Sequence, residues 1–332
     1  KMKITKIIFI NIFAIFIILF AFEFISRTLG LSNLMGTDFK LVRYEKNNMH
    51  YLVPNSQGLV FNSKTFIDKY GYRIPEPDYV YKKKRKIFII GDSVAFGNGV
   101  KEENTFSGLM RLNLNDYEIY NSSVFGYQIS HFKKRINEIN EFDPISKIIY
   151  VFTLNDVLGS SNVTTPNTKK ISESNYDFID RIKKIINIDF VYQINSFLRS
   201  KSYFYMYLKG VILDPQENWF KNVNNFYKNN EIKNLEEFVV LLKNKAKILN
   251  AELHIIVLPY EFQTRNCKED DLVPQKKIRN LMEKSNTKFY DFTDDFCKSK
   301  NPKKLFYKYD PMHLSILGHK FVYNRINNII DF

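Results

Sequence analysis

The chain opens with a continuous apolar run whose pattern differs from everything that follows. Residues 7–22 read IIFINIFAIFIILFAF, and Asn11 is their single polar residue. Extended to Ile4 and Ile25, the run approaches the ~20 residues that a helix needs to cross the hydrocarbon core of a bilayer. We therefore predict one membrane-spanning helix within an N-terminal anchor of residues 1–30.

Basic residues before the apolar run predict its orientation. Lys1, Lys3 and Lys6 precede it, and such charges favour the cytoplasmic side, so the rest of the chain is predicted to be extracytoplasmic. A cleaved signal peptide is the alternative, but the following sequence AFEFISRTLG lacks the small-residue cleavage pattern. A buried core helix is a third interpretation, which the flanking lysines and the terminal position disfavour.

Residues 31–85 show no sustained period and are predicted to be a connector with some local structure. Turn signals occur at Pro54-Asn55, Asn62-Ser63 and Tyr70-Gly71-Tyr72. The aromatic side chains of this stretch need cover. We therefore expect the connector to pack on the domain that follows it.

From residue 86 onwards, short apolar runs alternate with segments of helical spacing. The runs predict buried strands at Ile87–Ile90, Tyr117–Tyr120, Lys147–Leu154, Leu253–Leu258 and Phe289–Phe292. The helices are predicted at Glu103–Leu114, Ile129–Ile139, Leu235–Leu249, Lys276–Lys284 and Leu317–Ile330. This alternation predicts an α/β fold over residues 86–332: a flavodoxin-like three-layer α/β/α arrangement with a central parallel sheet of about five strands.

The alternation stops between residues 157 and 232. This stretch is rich in Asn, Lys, Tyr and Phe, and it includes the aromatic cluster Tyr203–Tyr207. We interpret it as a helical insertion. It could form a lid or one wall of a substrate groove, with aromatic rings that stack on sugars. Equally, those rings could form a small core of the insertion itself.

Composition limits the classes of function. The net charge is +14, yet the lysines are scattered apart from a basic run at residues 82–86. That run precedes a strand and is expected to be a solvated strand entry, so nucleic acid is not expected as a partner. Two cysteines, Cys267 and Cys297, make no disulfide framework; either one bridge or two thiols fits the sequence.

Polar residues follow the predicted strands where their carboxyl ends meet, which is where ligands bind in open α/β sheets. Gly91-Asp92-Ser93 follows the first strand, the loop with Gly126 follows the second, and Asn155-Asp156 follows the third. Asp310-Pro311-Met312-His313 precedes the last helix. The same edge of the sheet therefore gathers a hydroxyl, a glycine, an amide and an Asp/His pair.

These groups are the ones that acyl transfer through a serine requires. Ser93 is the candidate nucleophile, His313 the base that takes its proton, and Asp310 the carboxylate that orients the imidazole. The backbone N–H groups of Ser93 and Gly126 and the side-chain amide of Asn155 are candidate oxyanion donors. Asp92 and Asp156 are interpreted as hydrogen-bonding loop residues.

The four blocks resemble the SGNH/GDSL hydrolase family in residue type and in order. Gly91-Asp92-Ser93 is similar to its GDS block, Gly126 to its glycine block, Asn155 to its asparagine block and Asp310 to His313 to its D-x-x-H block. Thr153 departs from the family, which usually has glycine two positions before the asparagine. Asp68–Arg73 (DKYGYR) and Pro259–Gln263 (PYEFQ) resemble exported, anchored members.

The resemblance implies a serine ester hydrolase that acts on O-acyl esters of an extracytoplasmic glycan or lipid. An O-acyltransferase that modifies a cell-surface polysaccharide, working with a membrane-bound acyltransferase partner, needs the same residues. A catalytically silent glycan-binding or scaffold protein is a further alternative. No metal and no organic cofactor are expected. A P-loop and an α/β-hydrolase elbow are excluded because Gly-Lys-Ser/Thr is missing and position 95 is alanine.

Overall fold

The computed structural model describes residues 2–45, 49–159 and 188–332. Within these ranges, the strands are β1 (Val42–Tyr44), β2 (His50–Leu52), β3 (Gln57–Val60), β4 (Ser63–Ile67), β5 (Arg73–Ile74), β6 (Arg85–Gly91), β7 (Tyr117–Asn121), β8 (Lys147–Phe152), β9 (Glu252–Val257) and β10 (Phe289–Asp291).

The α-helices of the same ranges are α1 (Met2–Thr28), α2 (Ser93–Phe96), α3 (Phe106–Asn113), α4 (Ile129–Arg135), α5 (Ile188–Lys201), α6 (Tyr203–Leu213), α7 (Pro215–Asn229), α8 (Lys233–Ile248), α9 (Glu261–Asn266), α10 (Val273–Lys284), α11 (Thr293–Cys297) and α12 (Ile316–Ile329). Short 3-10 helices lie at Phe39–Leu41, Glu102–Asn104, Ile136–Phe142, Glu269–Asp271 and Pro302–Leu305.

The main sheet of the described chain is parallel, in the order β7-β6-β8-β9-β10. This is the flavodoxin-like order, with the reversal between β6 and β8. All six residues of β8 are buried. Because successive side chains of a strand point to opposite faces, the sheet is covered on both sides. The predicted α/β/α fold is confirmed.

Two predicted helices end earlier or begin later than their periodicity suggests. The stretch from Glu103 splits into a 3-10 turn and α3, because Thr105 accepts from the Gly108 N–H and caps α3. The predicted helix Ile129–Ile139 is α-helical only to Arg135 and continues as a 3-10 helix. Side-chain caps and tighter turns, which periodicity does not report, move these boundaries.

The connector contains antiparallel strands that the sequence did not predict. β1 pairs with β2, and β3-β4-β5 form a second small sheet. Leu41, Val60 and Ile67 belong to the same buried cluster as the main sheet. Arg73 is buried and donates to the carbonyl oxygens of Phe96 (2.6 Å) and Gly97 (2.7 Å). The connector therefore supports the turn that follows α2.

The N-terminal helix projects its apolar side chains outwards. Within the described residues, Ile4–Thr28 is the one helix long and apolar enough to cross a membrane, and its apolar window is entirely unburied. Near its end, Glu23 accepts hydrogen bonds from the backbone of Tyr203 and Phe204 (both 3.0 Å). The Phe22 ring stacks on that of Phe204, at 5.0 Å between centroids. The helix thus contacts the start of α6.

Cys267 and Cys297 form a disulfide that joins the end of α9 to the end of α11. The sequence left a bridge and two thiols as alternatives; the structure has the bridge.

Candidate active site

Ser93 begins a short helix at the carboxyl end of β6, an inner strand of the main sheet. Asp92 caps that helix by accepting from the Val94 N–H (2.9 Å). A side chain at position 91 would lie 2.5 Å from the Ala95 Cβ and 3.0 Å from the Val151 carbonyl oxygen. Glycine is therefore required where the strand turns sharply into the helix that presents Ser93.

Ser93, His313 and Asp310 form one chain of hydrogen bonds. The Ser93 Oγ lies 2.8 Å from His313 Nε2. On the other side of the ring, His313 Nδ1 lies 2.8 and 2.9 Å from the two carboxylate oxygens of Asp310. Since Nδ1 faces only carboxylate oxygens, it carries the hydrogen, and Nε2 is left to accept from the serine hydroxyl.

One tight turn holds the acid and the imidazole. Asp310 Oδ1 also accepts from the N–H groups of Met312 (2.9 Å) and His313 (2.7 Å). Burial disfavours the Asp310 carboxylate and the His313 imidazolium, but the attraction between the two charges and these hydrogen bonds outweigh it. They lower the pKa of Asp310 and raise the pKa of His313 from their ordinary values. The carboxylate therefore stays ionised and is placed to stabilise a protonated His313 ring.

Hydrogen bonds join two of the candidate oxyanion donors, Asn155 and the loop of Gly126, to the residues just before Ser93. The Asn155 amide nitrogen donates to Asp92 Oδ2 (3.1 Å), and its oxygen accepts from the Tyr260 hydroxyl (2.7 Å). These two contacts fix the orientation of the amide, which keeps its second N–H. Gly126 has φ +79°, a conformation that side chains disfavour. Its loop is joined to the end of β6 by the Val124 N–H, which donates to the Gly91 carbonyl (3.2 Å).

A buried group of polar side chains, here named the support network, lies behind the Asn155 amide. Its members all find hydrogen-bond partners; they are Asp92, Tyr150, Thr153, Asn155, Asp156 and Tyr260. Thr153 lies at its centre: its hydroxyl is 2.8 Å from Asp92 Oδ2 and 3.0 Å from Asp156 Oδ1. The residue that departs from the SGNH/GDSL pattern thus joins two loops of the site.

The geometry indicates where the proton of the support network resides. The Thr153 hydroxyl has one hydrogen and cannot donate to two carboxylates. Burial, and then the Asp92 charge, raise the pKa of Asp156 well above its ordinary value. A protonated Asp156 can donate to Thr153, which donates to Asp92, while the second Asp156 oxygen accepts from the Tyr150 hydroxyl (2.8 Å). Burial raises the pKa of Asp92 as well, but in this arrangement Val94, Thr153 and Asn155 all donate to its carboxylate, which favours the ionised form.

Several residues of the site were not predicted from the sequence. Tyr260 orients Asn155, and Trp219 Nε1 in turn donates to the Tyr260 hydroxyl (3.3 Å). Phe61, in the turn between β3 and β4, packs edge-on against the His313 ring, with 4.9 Å between centroids. Tyr260 lies in the PYEFQ stretch, whose resemblance to exported family members could have pointed to it. No motif of the sequence points to Phe61.

A cleft of about 300 Å³ opens next to Gly126 and Phe61. We name it the aromatic cleft, because aromatic rings form much of its wall. It is lined by Met35, Thr37, Phe39, Tyr44, His50, Phe61, Phe125, Gly126, Asn195, Ser196 and Arg199. Three of these residues belong to α5, within the predicted insertion, while residues 160–187 of that insertion lie outside the described chain.

The aromatic cluster at residues 203–207 has other partners. Phe204 stacks on Phe22 of α1, and Tyr207 packs edge-on against Tyr309. The Tyr205 hydroxyl donates to the Asn195 side chain (2.8 Å). Among the described residues, the rings of Phe204 and Tyr207 therefore pack outside the insertion, and no ring of the cluster lines the aromatic cleft.

No family model matches the chain, and no curated protein matches it. Solved structures similar to it include a member of the lipolytic protein G-D-S-L family from Veillonella parvula DSM 2008, at 12% identity over 74% of this chain and 98% of that chain, with a TM-score of 0.44. An acetyl xylan esterase shares 16% identity over 74% and 100% of the two chains, with a TM-score of 0.41.

A lipase/acylhydrolase from Enterococcus faecalis shares 12% identity over 75% of this chain and 98% of that chain, with a TM-score of 0.42. Likenesses of this strength carry no argument about activity. The function therefore has to be argued from the residues of the site.

Proposed function

We propose that the chain is a serine ester hydrolase of the SGNH/GDSL type, which removes O-acyl groups through an acyl-enzyme on Ser93. One observation carries the proposal: the continuous hydrogen-bond chain from the Ser93 hydroxyl through His313 to the buried Asp310 carboxylate. A weak hydroxyl nucleophile needs such a base, and the base needs such an acid.

In this mechanism the Ser93 Oγ attacks the ester carbonyl carbon and His313 Nε2 takes the hydroxyl proton. The Ser93 and Gly126 N–H groups and the Asn155 amide stabilise the oxyanion. As the C–O bond to the alcohol breaks, His313 gives its proton to the leaving oxygen. Water, deprotonated by the same imidazole, then cleaves the acyl-serine, which releases the acid and restores the hydroxyl.

Labelling by a fluorophosphonate tests the proposal directly, because the reagent phosphonylates an activated serine. We expect the full-length protein in detergent to be labelled and to hydrolyse 4-nitrophenyl acetate. Ser93→Ala should lose both properties. The matched control is Ser122→Ala, since that hydroxyl lies on the next strand-end loop and donates to the Ile89 carbonyl (2.8 Å). Absence of labelling in the folded wild-type protein would refute the enzyme proposal.

We further propose that α1 is a single-pass anchor and that the catalytic domain lies outside the cytoplasm. The apolar side chains of α1 are exposed along the helix, and Lys1, Lys3 and Lys6 precede its apolar run. The Cys267–Cys297 disulfide supports export, since such bridges persist in oxidising compartments.

The surface of α6 also supports a position at the membrane. Phe204, Leu208, Val211 and Ile212 recur at helical spacing and share one face of α6. Phe204 contacts α1, and the other three side chains are 42, 56 and 68% exposed. This apolar face therefore continues from the anchor and fits the interfacial region of a bilayer.

Alkaline phosphatase and green fluorescent protein fused after residue 332 test the orientation. The proposal expects phosphatase activity and no fluorescence, because the phosphatase needs disulfides and the fluorescent protein folds in the cytoplasm. The reverse pattern would contradict an extracytoplasmic domain.

A further inference from the structure

Arg199 gives the aromatic cleft a positive charge, and none of the described residues that line the cleft carries a carboxylate. Its Nη2 lies 3.6 Å from the Met35 sulfur, and within residues 2–45, 49–159 and 188–332 it forms no ion pair. Arg111, Arg135 and Arg265, by contrast, each pair with a carboxylate of Glu102, Glu138 or Asp214. A half-buried guanidinium without a carboxylate is available to an anion from outside.

Hydrogen bonds fix the backbone that carries the Arg199 side chain. The Met35 N–H donates to the Arg199 carbonyl (2.9 Å), and the Asn62 side chain donates to the Ser200 carbonyl (3.3 Å). Asn62 also accepts from the Gly36 N–H (2.9 Å). These bonds join the end of α5 to the turn that presents Phe61 to His313.

Arg199 also acts on the reacting groups through space. Burial disfavours the charged form of His313, whereas the Asp310 charge favours it and raises its pKa overall. The Arg199 charge acts in the same direction as burial and opposes this rise. Phe61 lies against the His313 ring, with 4.9 Å between centroids, and lines the same cleft as Arg199, so the cleft that holds the cation extends to the imidazole.

The other lining residues of the aromatic cleft that the structure describes are uncharged. Burial lowers the pKa of His50, and its Nε2 donates to the Phe125 carbonyl (2.8 Å), so the ring is uncharged at neutral pH. Phe39 and Tyr44 are 58 and 68% exposed. The cleft thus combines flat aromatic faces, a few polar side chains and one cation. It suits a ligand whose rings have apolar faces and polar edges and which carries a negative charge.

We propose that the aromatic cleft binds the alcohol part of the ester, that Arg199 pairs with an anionic group on it, and that the substrates are therefore O-acyl esters of an acidic glycan. This inference rests on the proposed ester hydrolase function. A guanidinium donates two parallel N–H bonds to a pair of carboxylate or phosphate oxygens, so a uronic acid and a sugar phosphate share the required chemistry.

Inhibition of 4-nitrophenyl acetate hydrolysis tests the inference on the full-length protein. Three acceptor-like oligomers are compared: an oligogalacturonate, an oligomer of glycerol phosphate and a neutral xylo-oligosaccharide. We expect at least one anionic oligomer to inhibit at lower concentration than the neutral one. Arg199→Gln should raise its inhibition constant about 10-fold or more, as expected for a lost charged hydrogen bond. Arg199→Lys keeps the charge but loses the paired N–H donors of the guanidinium, so its inhibition constant should lie between those of the wild type and Arg199→Gln.

The control variant is Arg279→Gln, an arginine whose side chain is 57% exposed and lies outside the aromatic cleft. It should leave all inhibition constants unchanged. As an independent readout, Arg199→Gln should move the acid limb of the rate profile to higher pH, because it removes a charge that lowers the pKa of His313.

The outcomes separate this inference from the proposed function. A wild-type protein that neither reacts with fluorophosphonate nor hydrolyses the ester contradicts the function itself. A protein that does both, but binds anionic and neutral oligomers alike, overturns only the inference. So does an Arg199→Gln variant with unchanged inhibition constants. Which anionic oligomer inhibits decides between carboxylate and phosphate.

Discussion

The support network behind Asn155 and the aromatic cleft beside Gly126 differ in how their polar groups are satisfied. In the support network, Asp92, Thr153 and Asp156 find hydrogen-bond partners within the protein and are almost fully buried. In the aromatic cleft, Arg199 has no carboxylate partner among the described residues, and Phe39 is exposed. The first arrangement fixes a geometry, whereas the second leaves interactions open for a ligand.

The difference follows from what each region has to do. Donors aimed at a developing oxyanion help only if they do not reorganise during the reaction, which a fully bonded network ensures. A binding surface gains affinity from groups that are unsatisfied before the ligand arrives. Changes in the support network should therefore lower kcat, and changes in the aromatic cleft should raise KM for the natural ester.

The largest effect is expected at Asp310, the acid at the end of the hydrogen-bond chain from Ser93. Asp310→Asn removes the charge that keeps the hydrogen on His313 Nδ1 and stabilises the imidazolium. We expect kcat to fall by about 10⁴-fold with KM little changed. Steady-state hydrolysis of 4-nitrophenyl acetate measures this, with the thermal midpoint as a control for folding. A loss below 10-fold would mean that Asp310 does not orient the base.

A smaller loss is expected at the oxyanion donor. Asn155→Ala removes an amide that Asp92 and Tyr260 hold in place, and we expect kcat to fall about 10²- to 10³-fold. Tyr260→Phe leaves the amide but removes one of its two fixed contacts. Its loss should therefore be smaller and again confined to kcat. If Tyr260→Phe instead raised KM alone, its hydroxyl would contact substrate rather than position Asn155.

The strand order and the meeting of the four blocks could be predicted from the sequence for one physical reason. Parallel strands bring their carboxyl ends to one edge, so Ser93, Gly126 and Asn155 had to lie near each other. Asp310 and His313 share a single turn, which short spacing alone suggests. Alternation of apolar and polar segments predicts the shared edge of the sheet, and the short spacing predicts the turn that holds Asp310 and His313.

The support network and the aromatic cleft depend on contacts that spacing does not encode. Thr153 looked like a mere departure from a pattern, because nothing local shows that carboxylates from two loops meet at its hydroxyl. Phe61 reaches His313 from a hairpin in the connector, and Arg199 reaches the same edge from an insertion. Such long-range packing is determined by the whole fold.

The finest test exchanges the two carboxylates of the support network for amides. In Asp156→Asn, the amide nitrogen can donate to Thr153 as the protonated acid does, while its oxygen still accepts from Tyr150. We expect kcat to stay within about 3-fold. In Asp92→Asn, one amide cannot accept from Val94, Thr153 and Asn155 together, so a charged hydrogen bond is lost and kcat should fall about 10-fold or more. Equal losses in the two variants, measured with the same ester and at matched thermal stability, would show that the proton does not reside on Asp156. A larger loss in Asp156→Asn would place it on Asp92 instead.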